Sequence, residues 1–181
     1  MKPSIQAFGN AYVQLRLIAE ADLDMTLNWR NREDVRAWFR NSNLITAEQH
    51  RAWYSRYLTL DDDFVFVVEV GGRPVGQASV YGIDLAAGSA EIGRFVVAPE
   101  ARGRGYIGRA CSELLRFCAE TLRLRHVFLE VKERNERAIR IYVRNGFQEQ
   151  SRAEGMIRMD RSLNGDFARS ADAGDESCAG R

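Results

Sequence analysis

Residues 102–108 read Arg-Gly-Arg-Gly-Tyr-Ile-Gly, RGRGYIG, and two motifs that predict different folds share those letters. Gly103, Gly105 and Gly108 spell G-x-G-x-x-G, the fingerprint of a dinucleotide-binding turn. Glu130 lies about 20 residues downstream, where an acidic side chain would hold a ribose. The same stretch also reads as a basic, glycine-rich helix start suited to a diphosphate. The neighbouring sequence decides between them.

A dinucleotide unit sets its glycines directly after the first strand of a repeating β-α-β series, which builds a parallel sheet. Here they come late. YVQLRLI (12–18) alternates and predicts a first strand; from Asp22 to Tyr57 the periodicity is helical, with Thr46 and Gln49 spaced as a capping box. FVFVVEV (64–70) and PVGQASVYG (74–82) flank Gly71-Gly72-Arg73, a hairpin signature that makes these strands antiparallel neighbours. A third strand, AEIGRFVVA (90–98), is separated from the glycines by Pro99-Glu100-Ala101-Arg102, where the fingerprint needs a tight turn. The context therefore favours the diphosphate reading.

Each residue of the stretch then has a physical role. A helix N-terminus presents unpaired N–H groups and a partial positive charge. Gly103, Gly105 and Gly108 would let a diphosphate approach without a Cβ in the way, and Arg102 and Arg104 would add charge-assisted hydrogen bonds, each contributing roughly 1.5–3 kcal/mol. The following residues place Ile107, Cys111, Leu114, Leu115, Cys118 and Leu122 on one face of a long amphipathic helix. HVFLEVK (126–132) predicts a strand, NERAIRIYVRN (135–145) a short helix stopped by Gly146, and residues 147–161 a last hairpin.

Together, VVAPEARGRGYIGRA and the later run Asn135…Tyr142…Asn145-Gly146-Phe147 resemble the GNAT N-acetyltransferase superfamily over residues 12–160 or so. The resemblance implies an α+β GNAT fold: a central mixed, mostly antiparallel twisted sheet flanked by helices in three α/β/α layers. It implies acetyl-CoA as co-substrate and no metal. The site residues it implies are Phe95, Val96 and Val97 along the cleft, a diphosphate site at Arg102, Gly103, Arg104, Gly105, Ile107 and Gly108, and Asn135 on the coenzyme. A backbone N–H near Phe95 would polarise the acetyl carbonyl, and Tyr142 would protonate the leaving thiolate. The commonest form of the motif has Gly or Ala where Ile107 stands; the spacing here is more like the ribosomal-protein N-terminal acetyltransferase branch. The base stays open between Glu91, which matches a family glutamate, and His50, one of two histidines.

The segment LNWRNREDVRAWF, with ITAEQHRAWY after it, is similar to the N-terminal helices of amino-sugar N-acetyltransferases, and Arg30, His50 and Trp53 fall on matching positions. The leading expectation is therefore an N-acetyltransferase acting on a primary amine of a nucleotide-linked amino sugar. A protein N-terminus or a small amine such as an antibiotic is the second reading, and a non-catalytic coenzyme A module the third.

Composition bounds the rest. A chain of 181 residues, 45% hydrophobic, supports one good core. One N-acetyltransferase domain is expected over 1–161, with the polar residues 162–181 as a disordered tail. Twenty-six Lys and Arg against 25 Asp and Glu leave a net charge of +1, so no global field draws the chain to nucleic acid or membrane. The N-terminus lacks a signal-like apolar run, and a cytoplasmic protein is expected. Cys111, Cys118 and Cys178 show no metal spacing, and two of them predict buried thiols. An exposed final hairpin or a tryptophan face would offer a homodimer surface.

Overall fold

The computed structural model describes residues 2–163. Eight strands form one sheet in the order β1-β2-β3-β4-β5-β6-β8-β7. They are β1 (Phe8–Gly9), β2 (Gln14–Leu17), β3 (Asp63–Val70), β4 (Arg73–Asp84), β5 (Ser89–Val97), β6 (His126–Lys132), β7 (Gln148–Ala153) and β8 (Met156–Ser162). All neighbours pair antiparallel except β5 and β6, which run parallel because a helix connects them. The helices are α1 (Leu23–Asn31), the one-turn α2 (Glu33–Arg36), α3 (Ala47–Tyr57), α4 (Tyr106–Glu120) and α5 (Glu136–Arg144).

The central strand β3 is buried on both faces, which explains why its sequence is a continuous apolar run instead of an alternation. Phe64, Phe66 and Val68 enter the larger cluster, where Phe8 stacks on Phe117 of α4 at 4.5 Å and Phe66 meets the same ring edge-on. Val65 and Val67 point the other way, against Leu23 of α1 and Tyr57 of α3. Helices thus cover both faces, in three layers.

Local signals account for most element ends. Gly71 and Gly72 both take positive φ, 56° and 74°, as a two-residue hairpin turn requires. Thr46 accepts from the Gln49 N–H at 3.2 Å while the Gln49 side chain accepts from the Thr46 N–H at 2.9 Å, so the capping box forms as read. Cys111 and Cys118 are fully buried on the inner face of α4, and burial pushes the Cys111 thiol up to about 12 and raises that of Cys118 as well.

Two expectations change, and one strand is new. The two-residue β1 carries no signal in the sequence and exists by pairing with β2. The expected boundary at residue 161 falls too early: Ser162 pairs with His126, and Leu163 is buried and donates its N–H to the Arg125 carbonyl at 2.8 Å. The rest of the expected tail, with Cys178, lies outside the described residues. No tryptophan face forms either, since Trp29 is core, Trp38 is 44% exposed and Trp53 packs beside Tyr57. The β7 edge is exposed along its whole length. Among the described residues no helix is long and apolar enough to cross a membrane.

Candidate active site

The sheet opens in its middle. β5 and β6 keep register at three pairs, Ser89 with His126, Ala90 with Val127 and Glu91 with Phe128, and then part. On its other side β5 carries a bulge: Ser79 of β4 is opposite Gly93 and Gln77 is opposite Val96, so Arg94 and Phe95 have one β4 residue between them. Arg94 sits there at φ 51°, in the left-handed region that a non-glycine residue seldom adopts. A cleft of about 1030 Å³ fills the opening, with Phe95, Val96 and Val97 on one wall and Leu129, Glu130 and Val131 on the other.

At one end of the cleft the chain turns into α4. Gly103 and Gly105 have φ 77° and 74°, and a Cβ on either would meet nothing within 4 Å. Their glycine character therefore serves the turn, and the space in front of them is open. The first backbone bond of α4 runs from the Arg109 N–H to the Gly105 carbonyl, which leaves the amides of Tyr106, Ile107 and Gly108 at the helix start without acceptors inside the helix. Ile107, Gly108 and Asn135 line the cleft; Asn135 also caps α5, accepting from the Ala138 N–H at 3.2 Å. Arg102 lines it too but is ion-paired with Asp34, whereas Arg104 is exposed outside it. Arg109, Arg137 and Arg144 stand at the lining in its place. They were legible only as surface positions of α4 and α5, because nothing in a one-dimensional reading turns the two helices toward one mouth.

Tyr142 comes up beneath this space from α5, its ring 5.8 Å from Phe95 and 6.0 Å from Phe147. Burial raises its phenol above the ordinary value of 10, with Cys111 and Tyr81 nearby adding to the shift, so the hydroxyl stays protonated at neutral pH. Glu91 is not on the cleft wall. It accepts a hydrogen bond at 2.8 Å from the hydroxyl of Tyr81, which is. Sequence reasoning missed Tyr81 and Arg94, and set Glu130 aside with the dinucleotide motif, although Glu130 is the carboxylate of β6 that faces the opening and pairs with Arg40.

The residues expected to form an acceptor pocket separate. Arg30 lines the cleft, its guanidinium 4.2 Å over the Phe39 ring, with Nη2 donating to the Asn41 carbonyl and Nη1 buried without a partner. His50 and Trp53 do not line it; they stack on each other at 5.0 Å, and Trp53 continues onto Tyr57 on the α1/α3 face of the sheet. Burial lowers the His50 pKa, and its Nε2 lies 3.3 Å from the Thr26 hydroxyl. The segment after α2 crosses the mouth instead: Lys132 of β6 donates to the Ala37 carbonyl at 2.8 Å, and Arg40 reaches Glu130. Among the described residues no three His, Cys, Asp or Glu side chains gather as metal ligands.

A family profile described as an acetyltransferase (GNAT) domain matches residues 13–148. The chain belongs to the GNAT acetyltransferases. Spermidine N(1)-acetyltransferase of Escherichia coli is 28% identical over 156 residues, 86% of this chain and 81% of that one. A Bacillus subtilis relative whose name places it with ribosomal N-acetyltransferases is also 28% identical, over 80% of this chain and 82% of its own. The fold of this acetyltransferase superimposes on spermidine N-acetyltransferase from Vibrio cholerae, solved with CoA and spermine, at TM-score 0.78 and 22% identity, covering 85% and 97% of the two chains. This is an N-acetyltransferase, with acetyl-CoA as the donor. Its residues fit that donor: an open turn with free helix-start amides for the diphosphate, arginines at the mouth, and an apolar, bulged strand along the cleft.

Proposed function

We propose that the cleft transfers acetyl from acetyl-CoA to a primary amine by direct attack on the thioester, and that the acceptor is a nucleotide-linked amino sugar. The observation that supports the chemistry is the bulge at Arg94–Phe95 facing Tyr142 across the splayed strands. Acetyl-CoA brings an electrophilic thioester carbonyl. A backbone N–H of the Phe95–Val97 run hydrogen-bonds to the carbonyl oxygen as charge develops there, an interaction whose loss typically costs about 10²–10³ in rate. The neutral amine attacks and its nitrogen gives up a proton to water in the cleft, while Tyr142 delivers its own proton to the departing sulfur and is reprotonated from that water; burial keeps the phenol protonated until then. Gly103, Gly105, Ile107 and Gly108 cradle the diphosphate, Arg109 and Arg137 at the lining supply the charge expected of Arg102 and Arg104, and Asn135 fixes the coenzyme from the other side.

The charge of the acceptor end supports the sugar nucleotide over a polycation. Both carboxylates on the wall, Asp34 and Glu130, lie against arginines, while Arg30, Arg109, Arg137 and Arg144 bring further positive charge to the lining. Such a lining favours phosphate and opposes spermidine. A polyamine acceptor is the second reading; what favours it is the name shared by the Escherichia coli and Vibrio cholerae relatives.

Thiol release from acetyl-CoA, followed across UDP- and dTDP-linked amino sugars, spermidine, spermine and N-terminal peptides, tests this. Turnover on a nucleotide-linked sugar is expected. Turnover on spermidine alone would keep the chemistry and overturn the acceptor; no turnover with any amine would leave a coenzyme A module.

A further inference from the structure

The bulge is pinned by side chains on three adjacent strands. Arg94, in β5, extends back over β4, where its guanidinium lies 3.9 Å above the Tyr81 ring, and reaches Asp63 at the start of β3. There Nη1 is 2.9 Å from each carboxylate oxygen. Asp63 is 93% buried, and the Arg94 guanidinium on its carboxylate, with the Lys2 ammonium on its carbonyl, makes that burial tolerable. Tyr81 is opposite Asp63 in one register and opposite Glu91 in the next, and its hydroxyl is tied to Glu91. At Gly93 a Cβ would come within 2.9 Å of that hydroxyl, so the ring occupies the place a side chain would take.

These contacts converge on the one residue of β5 whose backbone needs holding. An arginine at φ 51° is unfavourable by itself and is free to relax toward extended geometry. Relaxation would draw the extra residue into the ladder, slip the pairing that follows by one and turn Phe95 and its neighbours to the opposite face, since strand side chains alternate with period two.

We propose that Asp63, Arg94 and Tyr81 form a positioning clamp that holds residue 94 in the left-handed conformation and thereby aims the cleft-facing backbone N–H of the Phe95–Val97 run at the acetyl carbonyl. The proposal rests on the acetyl-transfer reading and adds the device that orients the donor. The clamp acts through backbone geometry; neither Asp63 nor Arg94 is a catalytic residue in it.

Comparing Ala and Gly at position 94 tests the clamp, because glycine accepts positive φ without help. The comparison is made in an Asp63→Asn background, so that no carboxylate is left buried and unpaired. Acetyl-CoA binding is measured by calorimetry, and the bound carbonyl stretch by isotope-edited infrared spectroscopy, which needs no acceptor. The wild type is expected to bind with the stretch displaced to lower frequency. Asp63→Asn/Arg94→Ala is expected to bind with that displacement lost and, once an acceptor is in hand, turnover lower by about 10²-fold. Asp63→Asn/Arg94→Gly is expected to recover most of both. Equal loss in the Ala and Gly variants with a raised acceptor KM would overturn the clamp and make Arg94 a substrate contact. An unchanged stretch in the Ala variant, or none displaced in the wild type, would overturn it as well. Failure of the wild type to bind acetyl-CoA at all would instead remove the acetyl-transfer reading, and the clamp with it.

Discussion

Tyr142 has one polar atom to contribute, and Tyr142→Phe removes that atom while keeping the ring between Phe95 and Phe147. Steady-state kinetics should show turnover lower by roughly 10²-fold with the acetyl-CoA KM unchanged, the signature of general-acid loss. Equal turnover would take the phenol out of the chemistry. The two carboxylates separate in the same way. Glu130 faces the cleft and Glu91 is one hydroxyl removed, so Glu130→Gln should lower kcat by more than Glu91→Gln; the reverse order would return Glu91 to the role of base. His50 gives a stability prediction. Burial lowers its folded pKa below the ordinary 6.5, so the unfolded chain binds the extra proton first. Its contribution is present above 6.5 and fades as pH falls from there through the lowered value. A Tm series on wild type and His50→Gln should show part of the acid-side decline missing in the variant; identical slopes would mean that His50 does not set it.

Elements were legible in the sequence where one residue type has one structural use. Gly71-Gly72 fixes a hairpin because few other residues accept two positive φ values in succession, and Thr46 with Gln49 fixes a helix start. Thr46→Ala should cost about 1 kcal/mol by denaturant unfolding, because α3 loses the acceptor for the Gln49 amide. A neutral result would mean that packing of Tyr57 alone sets the helix. The glycine turn was legible for the same reason, since Gly103 and Gly105 both take positive φ. What stayed hidden depends on neighbours distant in sequence. The bulge falls on an arginine, a residue with no preference for φ 51°, and the contacts it makes, to Asp63 and Tyr81, come from other strands. His50 and Trp53 sit three apart on α3 and share a face, yet no local pattern says which side of the sheet that face meets; Arg30, on another helix, came to the cleft and they did not.

At the scale of the whole molecule, the sheet is two antiparallel blocks, β1–β5 and β6–β8, joined by three register pairs. A donor lying between them touches both. At 100 times its Kd, acetyl-CoA should add about 2.7 kcal/mol of stability, and amide exchange should slow on β5 and β6 together. Protection confined to one block would place the ligand outside the opening. The same architecture gives the chain a natural seam. A cut in the turn between α4 and β6, around residues 121–125, would leave two pieces held by those three rungs, by the bond from the His126 N–H to the Gly88 carbonyl and by their shared core, with the donor seated across them. Their reunion should then depend on the concentration of acetyl-CoA, which would make the severed protein a reporter of the metabolite that the intact one consumes.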